Sequence, residues 1–245
     1  MQIDLEHTTL FNGKVTVFQP KQGYRFSVDS LMLAAFTHVK KNQMVLELGI
    51  GVGAASLALA YHHPDINLDG VEIQAEILPI TEKNIQINNW PERFKLFCGN
   101  LKDRIVPGNT YHHVMMNPPF FEDHSYTNSH HVHKSLSNGE HDTPLTEWIF
   151  EAYRTLRQLG YVTIVHTADR LDDIISVLKT RKFGGIEVYP LWPKLGSAAK
   201  RVLVKARKDV ESPLKLHAGL ILHEDDGAFT REARKIIFDG EKIRT

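Results

Sequence analysis

The run Val45-Leu46-Glu47-Leu48-Gly49-Ile50-Gly51-Val52-Gly53 constrains the fold of this chain more than any other stretch. An apolar segment ends near an acid and passes into a turn with glycine at every second position. The small, apolar Ala54-Ala55-Ser56-Leu57-Ala58-Leu59-Ala60 follows. This pattern predicts a buried parallel strand, a tight turn and a helix. Glycine serves where the backbone takes positive φ or must let another group approach closely. The free N–H groups and dipole at a helix start favour a phosphate or carboxylate. The turn therefore predicts a nucleotide-like ligand.

Two ligands compete for it. Gly49-x-Gly51-x-x-Ala54 fits the dinucleotide fingerprint, with Glu72 at a suitable distance for a ribose hydroxyl. The same residues also read as Glu47-x-Gly49-x-Gly51-x-Gly53, the first motif of S-adenosylmethionine-dependent methyltransferases. The acid two residues before the first glycine favours the second reading, and residues further along decide it.

The remainder of the chain repeats the strand–helix rhythm. Strands are expected at 66–72, 94–100, 111–116 and 161–166, and helices at 76–88, 145–159 and 169–182. Segments 186–191 and 201–206 are close enough to pair as an antiparallel ribbon at the sheet edge. Ahead of the core, residues 1–20 predict a hairpin turning at Asn12-Gly13. A loop from Gln19 leads to a helix over 31–36 that Asp29 or Ser30 is expected to cap. The fold class is α/β: a doubly wound, mostly parallel, seven-stranded Rossmann-like sheet with an antiparallel edge strand. One domain spans 1–245, with an N-terminal hairpin and lid over 1–44, a catalytic core over 45–245 and a mobile loop over about 121–143.

Composition narrows the setting. The chain has 245 residues with 42% hydrophobic and 24% charged residues, ordinary for one globular α/β domain. No apolar run is long enough to span a membrane, and the N-terminus lacks a signal pattern. A single cysteine, Cys98, allows no internal disulfide and is expected to be buried in its strand. A cytoplasmic location is the expectation. Lys and Arg balance Asp and Glu at 29 each, so nucleic acid would be held by a local patch rather than by a global field. Candidates are Lys194, Lys200, Arg201, Lys205, Arg207, Lys208, Arg231, Arg234 and Lys235, with Trp192 placed to stack a base or to pack. His130, His131 and His133 match no standard ligand frame and have no cysteine partner, so no metal is expected.

Asn117-Pro118-Pro119-Phe120 carries the chemistry. It follows an apolar strand, and doubly wound folds bind ligands at the carboxyl ends of their strands. Two prolines stiffen the backbone and remove two donors. What remains is an amide oxygen, the Pro118 carbonyl and an aromatic face, a set suited to a planar amino group. A nucleobase amine is a poor nucleophile because its lone pair is delocalised. Accepting both of its hydrogens favours the pyramidal nitrogen, and catalysis then rests on positioning and preorganised electrostatics. Phe120 would stack on a base that has been unstacked to enter. Glu72 is placed to accept ribose hydroxyls, and Asn100 to accept from an adenine amine or to cap the next turn. Glu47 is placed to orient the glycine turn or to meet an amino group.

Together these motifs resemble the amino-methyltransferases of the Rossmann-like S-adenosylmethionine superfamily. Gln22-Gly23-Tyr24-Arg25-Phe26-Ser27-Val28-Asp29-Ser30, Lys200-Arg201-Val202-Leu203-Val204 and Leu220 to Thr230 are similar to one branch. That branch is the bacterial tRNA1(Val) adenine-N6-methyltransferases, which modify the adenosine just 3′ of the anticodon, nucleotide 37. The resemblance implies that S-adenosylmethionine is held by Arg25, Phe26, Ser27, Asp29, Glu47, Gly49, Gly51, Gly53, Glu72, Asn100, Leu101 and Asn117. It implies catalysis by Asn117 and Pro118 with Phe120 as base clamp, and tRNA as substrate. Guanine-N2 rRNA methyltransferases and release-factor glutamine methyltransferases share the Asn-Pro-Pro-aromatic motif and stand as alternatives. The glutamine enzymes carry a helical domain ahead of the core, whereas here only about twenty residues precede the lid, which makes them the less expected alternative.

Overall fold

In the computed structural model, residues 3–23, 25–119 and 143–244 are described. The chain opens with strands β1 (Leu5–Leu10) and β2 (Val15–Pro20), an antiparallel hairpin separate from the main sheet. Phe11, Asn12 and Gly13 all take positive φ at its turn, as the Asn-Gly pair predicts. The core then runs α1 (Val28–Phe36), β3 (Met44–Leu48), α2 (Ala54–His62), β4 (Asn67–Glu72), α3 (Leu78–Ile87), β5 (Phe94–Cys98) and β6 (Tyr111–Met116). It continues with α4 (Leu145–Thr155), β7 (Leu156–Thr167), α5 (Leu171–Thr180), β8 (Phe183–Trp192) and β9 (Arg201–Lys208). Two two-residue strands, β10 (Lys215–Leu216) and β11 (Leu220–Ile221), pair with the outer side of β8.

The seven long strands of the sheet are ordered β8-β9-β7-β6-β3-β4-β5. Five neighbours from β7 to β5 are parallel, while β9 runs antiparallel between β7 and β8. The antiparallel strand predicted at the edge is thus seated one place in from it. One apolar cluster packs α1, α2, α3 and the hairpin against one face of the sheet. A second packs α4 and α5 against the other. Both faces of the parallel strands are covered, which is why they read as continuous apolar runs.

Three expectations are corrected. The cap of α1 is Ser27, whose Oγ accepts from the Asp29 N–H at 3.2 Å, rather than Asp29 or Ser30. Asp29 sits in the first helical turn and pairs with Arg201 at 3.1 Å. Helix α4 stops at Thr155, not at Gly160, because its last carbonyls are recruited elsewhere. The Arg154 and Thr155 carbonyls accept from the N–H groups of Asn109 and Thr110, both at 2.9 Å. Leu156 then turns extended and pairs with Tyr111 on β6. Cys98 is exposed rather than buried, since β5 ends the sheet among the described residues. Among the described residues, no helix is long and apolar enough to cross a membrane.

Candidate functional site

The sheet register builds the site. Strand order reverses at β3, with β4 on one side and β6 on the other. Leu48 pairs with Met116 on β6 and with Val71 on β4. Gly49, Asn117 and Glu72 therefore leave three adjacent strands at the same level, about 4.8 Å between neighbours. Cys98 pairs with Glu72, so Asn100 follows one strand further along. Gly49, Glu72, Asn100 and Asn117 thus lie at the carboxyl ends of four neighbouring strands.

The glycine turn is held from every side. Gly49, Gly51 and Gly53 have φ of 69°, 53° and 87°, and Gly53 is the N-cap of α2. A Cβ on Gly49 would lie 2.6 Å from the Trp148 ring of α4, a contact only glycine permits. Trp148 is 8% exposed, and its Nε1 donates to the Thr143 carbonyl at 3.1 Å. On the other side, Thr81 Oγ1 donates to the Gly51 carbonyl and Asn84 Nδ2 to the Val52 carbonyl at 2.9 Å. Trp148, Thr81 and Asn84 escaped the sequence reading, because helical spacing marks them only as inward-facing.

Glu72 is buried and accepts three backbone N–H groups: Gly51 at Oε2 (2.9 Å), and Ile73 and Gln74 at Oε1 (both 3.0 Å). A carboxylate offers about four acceptor positions, so one, on Oε2, stays open to a hydroxyl. Asn100 caps the single turn Leu101–Asp103, its Oδ1 accepting from Lys102 N–H at 2.9 Å. The turn-capping role is therefore the one seen, with a second lone pair left on that oxygen; Leu101 is buried beneath it. Arg25 pairs with Glu6 of the hairpin, which also accepts from Gln19 at 2.9 Å. Phe26 packs half-buried on the helix-side core.

Glu47 points under α2, where its Oε2 accepts both the N–H and the hydroxyl of Ser56. It orients the helix that follows the turn. Burial raises its pKa to about 8, against the opposing effect of the Ser56 bonds. The folded-state pKa lies above the unfolded value, so the folded chain holds a proton that the unfolded chain loses as pH rises. Stability therefore falls through the window from about 4.5 to about 8. Glu47→Gln, which keeps an acceptor for Ser56, should flatten that slope and make the chain more stable than wild type at pH 9. Urea melts at pH 5 and pH 9 measure it; parallel pH profiles would refute the assignment.

Asn117 is the decisive residue. Its Oδ1 is shielded from solvent, yet it accepts no hydrogen bond among the described residues. Buried acceptors are nearly always paired, so an unmatched one beside the glycine turn marks a place for a ligand donor. Pro118 is buried and Pro119 exposed. Phe120 and the histidines of the loop expected at 121–143 lie outside the described residues. Among the described residues, no cluster of His, Cys, Asp or Glu could hold a metal ion.

The candidate cations divide sharply. Lys205 is buried and pairs with Glu187 at 2.9 Å. Lys208 is buried and donates to the carbonyls of Tyr153 and Leu156 at 2.8 and 2.7 Å. These two are structural and leave the nucleic-acid candidates, because β9 is internal and its apolar stems are buried. Arg201 pairs with Asp29, and Arg207 donates to the Leu159 carbonyl at 2.9 Å. Lys194 donates to the Asp225 carbonyl at 2.8 Å, and Lys235 faces Glu241 at 3.4 Å. Lys200, Arg231 and Arg234 are exposed. Trp192 packs at the β8 end with its Nε1 donating to the Ala218 carbonyl at 3.0 Å.

Comparison with known proteins agrees with this geometry. A tRNA1(Val) (adenine(37)-N6)-methyltransferase from Flavobacterium psychrophilum is 22% identical over 222 residues, covering 89% of this chain and 92% of the relative. A solved structure described as a predicted O-methyltransferase from Agrobacterium tumefaciens superposes with a TM-score of 0.71 at 23% identity. It covers 88% of this chain and 98% of that one. A S-adenosylmethionine-dependent O-methyltransferase from Thermotoga maritima superposes at 0.55 with 15% identity, covering 79% and 69%. At these identities the structures speak to fold alone. The profile of the methyltransferase small domain matches residues 24–170, which span α1, the glycine turn, Asn117 and β7. The chain belongs to the methyltransferase small domain family.

Proposed function

We propose that this chain transfers a methyl group from S-adenosylmethionine to N6 of an adenosine in tRNA, in the manner its relatives' names describe, at the position 3′ of the anticodon. The observation that carries this reading is Asn117: a buried amide oxygen unmatched among the described residues, level with the glycine turn on the neighbouring strand. Bound S-adenosylmethionine supplies an electrophilic methyl group. Glu72 offers its open Oε2 position to a ribose hydroxyl, and Asn100 its second lone pair to an adenine amine. The lid residues Arg25, Phe26, Ser27 and Asp29 close the methionine side. Asn117 Oδ1 accepts one hydrogen of the target amine and the Pro118 carbonyl accepts the other. The nitrogen lone pair is thereby drawn out of ring conjugation. Once alkylated, the cationic nitrogen sheds its proton readily, so a strong general base is not required. Phe120 would stack on the target base. We read the chain as one catalytic unit working on tRNA in the cytoplasm.

The test is incubation with methyl-labelled S-adenosylmethionine and total tRNA, rRNA and protein fractions, followed by nucleoside and amino-acid analysis. Label in N6-methyladenosine of tRNA is expected. Label in N2-methylguanosine or in protein glutamine would replace the adenine reading with one of the alternatives.

RNA contact is assigned to the loop between β8 and β9. The end of β8 and the start of β9 lie at the same sheet edge as Asn117, because β9 returns antiparallel. Lys200 is exposed there. Lys200→Glu should weaken tRNA binding several-fold at low salt and leave S-adenosylmethionine affinity unchanged. Filter binding across a salt series reads the first and calorimetry the second; equal loss of both would indicate misfolding instead.

A further inference from the structure

Asn84 and Asn88 are the least expected side chains of helix α3 and its C-cap. Asparagine is a poor helix residue because its short amide competes for backbone bonds. Burying an amide is costly unless every polar atom finds a partner. Asn84 is nonetheless fully buried. Its Oδ1 accepts from the Phe18 N–H at 2.7 Å, and its Nδ2 donates to the carbonyls of Phe18 (2.8 Å) and Val52 (2.9 Å). One turn later Asn88 repeats the pattern. It accepts from the Thr16 N–H at 3.0 Å and donates to the Thr16 and Asn84 carbonyls, both at 2.7 Å.

Thr16 and Phe18 are alternate residues of β2, so their backbone groups point to the same side of the strand. The two asparagines stand where a third strand of the hairpin would pair. The same helix reaches the glycine turn, through Thr81 to Gly51 and through Asn84 to Val52. A trans peptide is planar, so fixing a carbonyl also fixes the N–H of the next residue on the opposite side. Thr81 thereby sets the direction of the Val52 N–H, and Asn84 that of the Gly53 N–H, which closes the turn onto the Ile50 carbonyl at 2.9 Å. Asn84 hydrogen-bonds both the hairpin and the turn.

Resting on the functional reading above, we infer that Asn84 is a positioning residue of the cofactor turn. Through it and Asn88, the hairpin β1–β2 is coupled to cofactor binding. The helix between the hairpin and the turn transmits order in both directions, since coupling between sites is reciprocal.

The test combines amide hydrogen exchange with calorimetry on the full chain. Adding S-adenosylmethionine should slow exchange of the Thr16 and Phe18 amides. Asn88→Ala, which leaves the Val52 bond in place, should raise the Kd for S-adenosylmethionine about fivefold or more, the scale of ordinary coupling. Its kcat at saturating cofactor should stay within about twofold of wild type, the split expected of lost coupling rather than lost chemistry. Asn84→Asp keeps the acceptor for Phe18, loses both donors and should weaken binding further. If that variant fails to fold, Asn88→Ala decides. Wild-type Kd in Asn88→Ala, with exchange at Thr16 and Phe18 unmoved by ligand, overturns the coupling alone, even if the melting temperature drops. A wild-type chain that binds no S-adenosylmethionine overturns the functional reading, and the coupling falls with it.

Discussion

Asn117→Ala should lose methyl transfer by about 10³-fold, the scale seen when one preorganised polar group aimed at a reacting centre is removed. Cofactor affinity should stay close to wild type. The separation follows from where the side chain sits. Among the described residues, Asn117 leaves β6 beside the glycine turn without a hydrogen bond to it, and its Oδ1 has no protein donor to lose. Removing it should therefore leave the fold nearly undisturbed. Removing a satisfied buried amide would instead strand its partners, as at Asn84. Single-turnover transfer to tRNA, with cofactor Kd measured alongside, tests this. An alanine variant of full activity would end the proposed mechanism. A variant that also loses the cofactor would move Asn117 from the substrate side to the cofactor side.

Gly49→Ala should be a strongly damaging single methyl in the glycine turn. Two penalties add. The residue has φ of 69°, where an L side chain costs about 1–2 kcal/mol. The new Cβ would then lie 2.6 Å from Trp148 Cη2. Trp148 cannot swing away cheaply, being buried in the second core and bonded to Thr143. Overpacking of this kind costs about 1–3 kcal/mol. A loss of about 2–5 kcal/mol in urea melts is expected from the sum, with cofactor affinity down more than about tenfold because the turn is displaced. Adding Trp148→Phe shortens the ring and should return the steric share but not the conformational one. A double variant no better than Gly49→Ala would show that Trp148 is not the obstacle.

The site was legible where chemistry is local. A glycine turn must be glycine because its own backbone angles demand it, and two prolines after an asparagine stiffen the chain wherever they occur. Strand order along the chain then placed both motifs at one edge. Cysteine burial, cation availability and the end of α4 were not legible in this way. Cys98 alternates like a core residue but lies on the strand that ends the sheet among the described residues. Lys205 and Lys208 read as surface charge, yet β9 runs inside the sheet, where Lys205 pairs with Glu187 and Lys208 donates to backbone carbonyls. The 145–159 pattern continues helical past Thr155, but Asn109 and Thr110 claim the last carbonyls and turn the chain into β7.

By itself the amino-acid sequence determined the α/β class, the glycine turn, the Asn-Pro-Pro corner and the chemistry those residue types can perform. Each depends on backbone angles and functional groups within a few residues. Tertiary structure alone decided which neighbour each group meets: Trp148 against Gly49, Asn84 between Val52 and Phe18, Glu72 folded onto Gly51, and Asn117 left unmatched among the described residues. Those contacts join residues up to about a hundred positions apart. Hydrogen bonds and close packing between such partners depend on sheet register and helix docking, which no local pattern encodes.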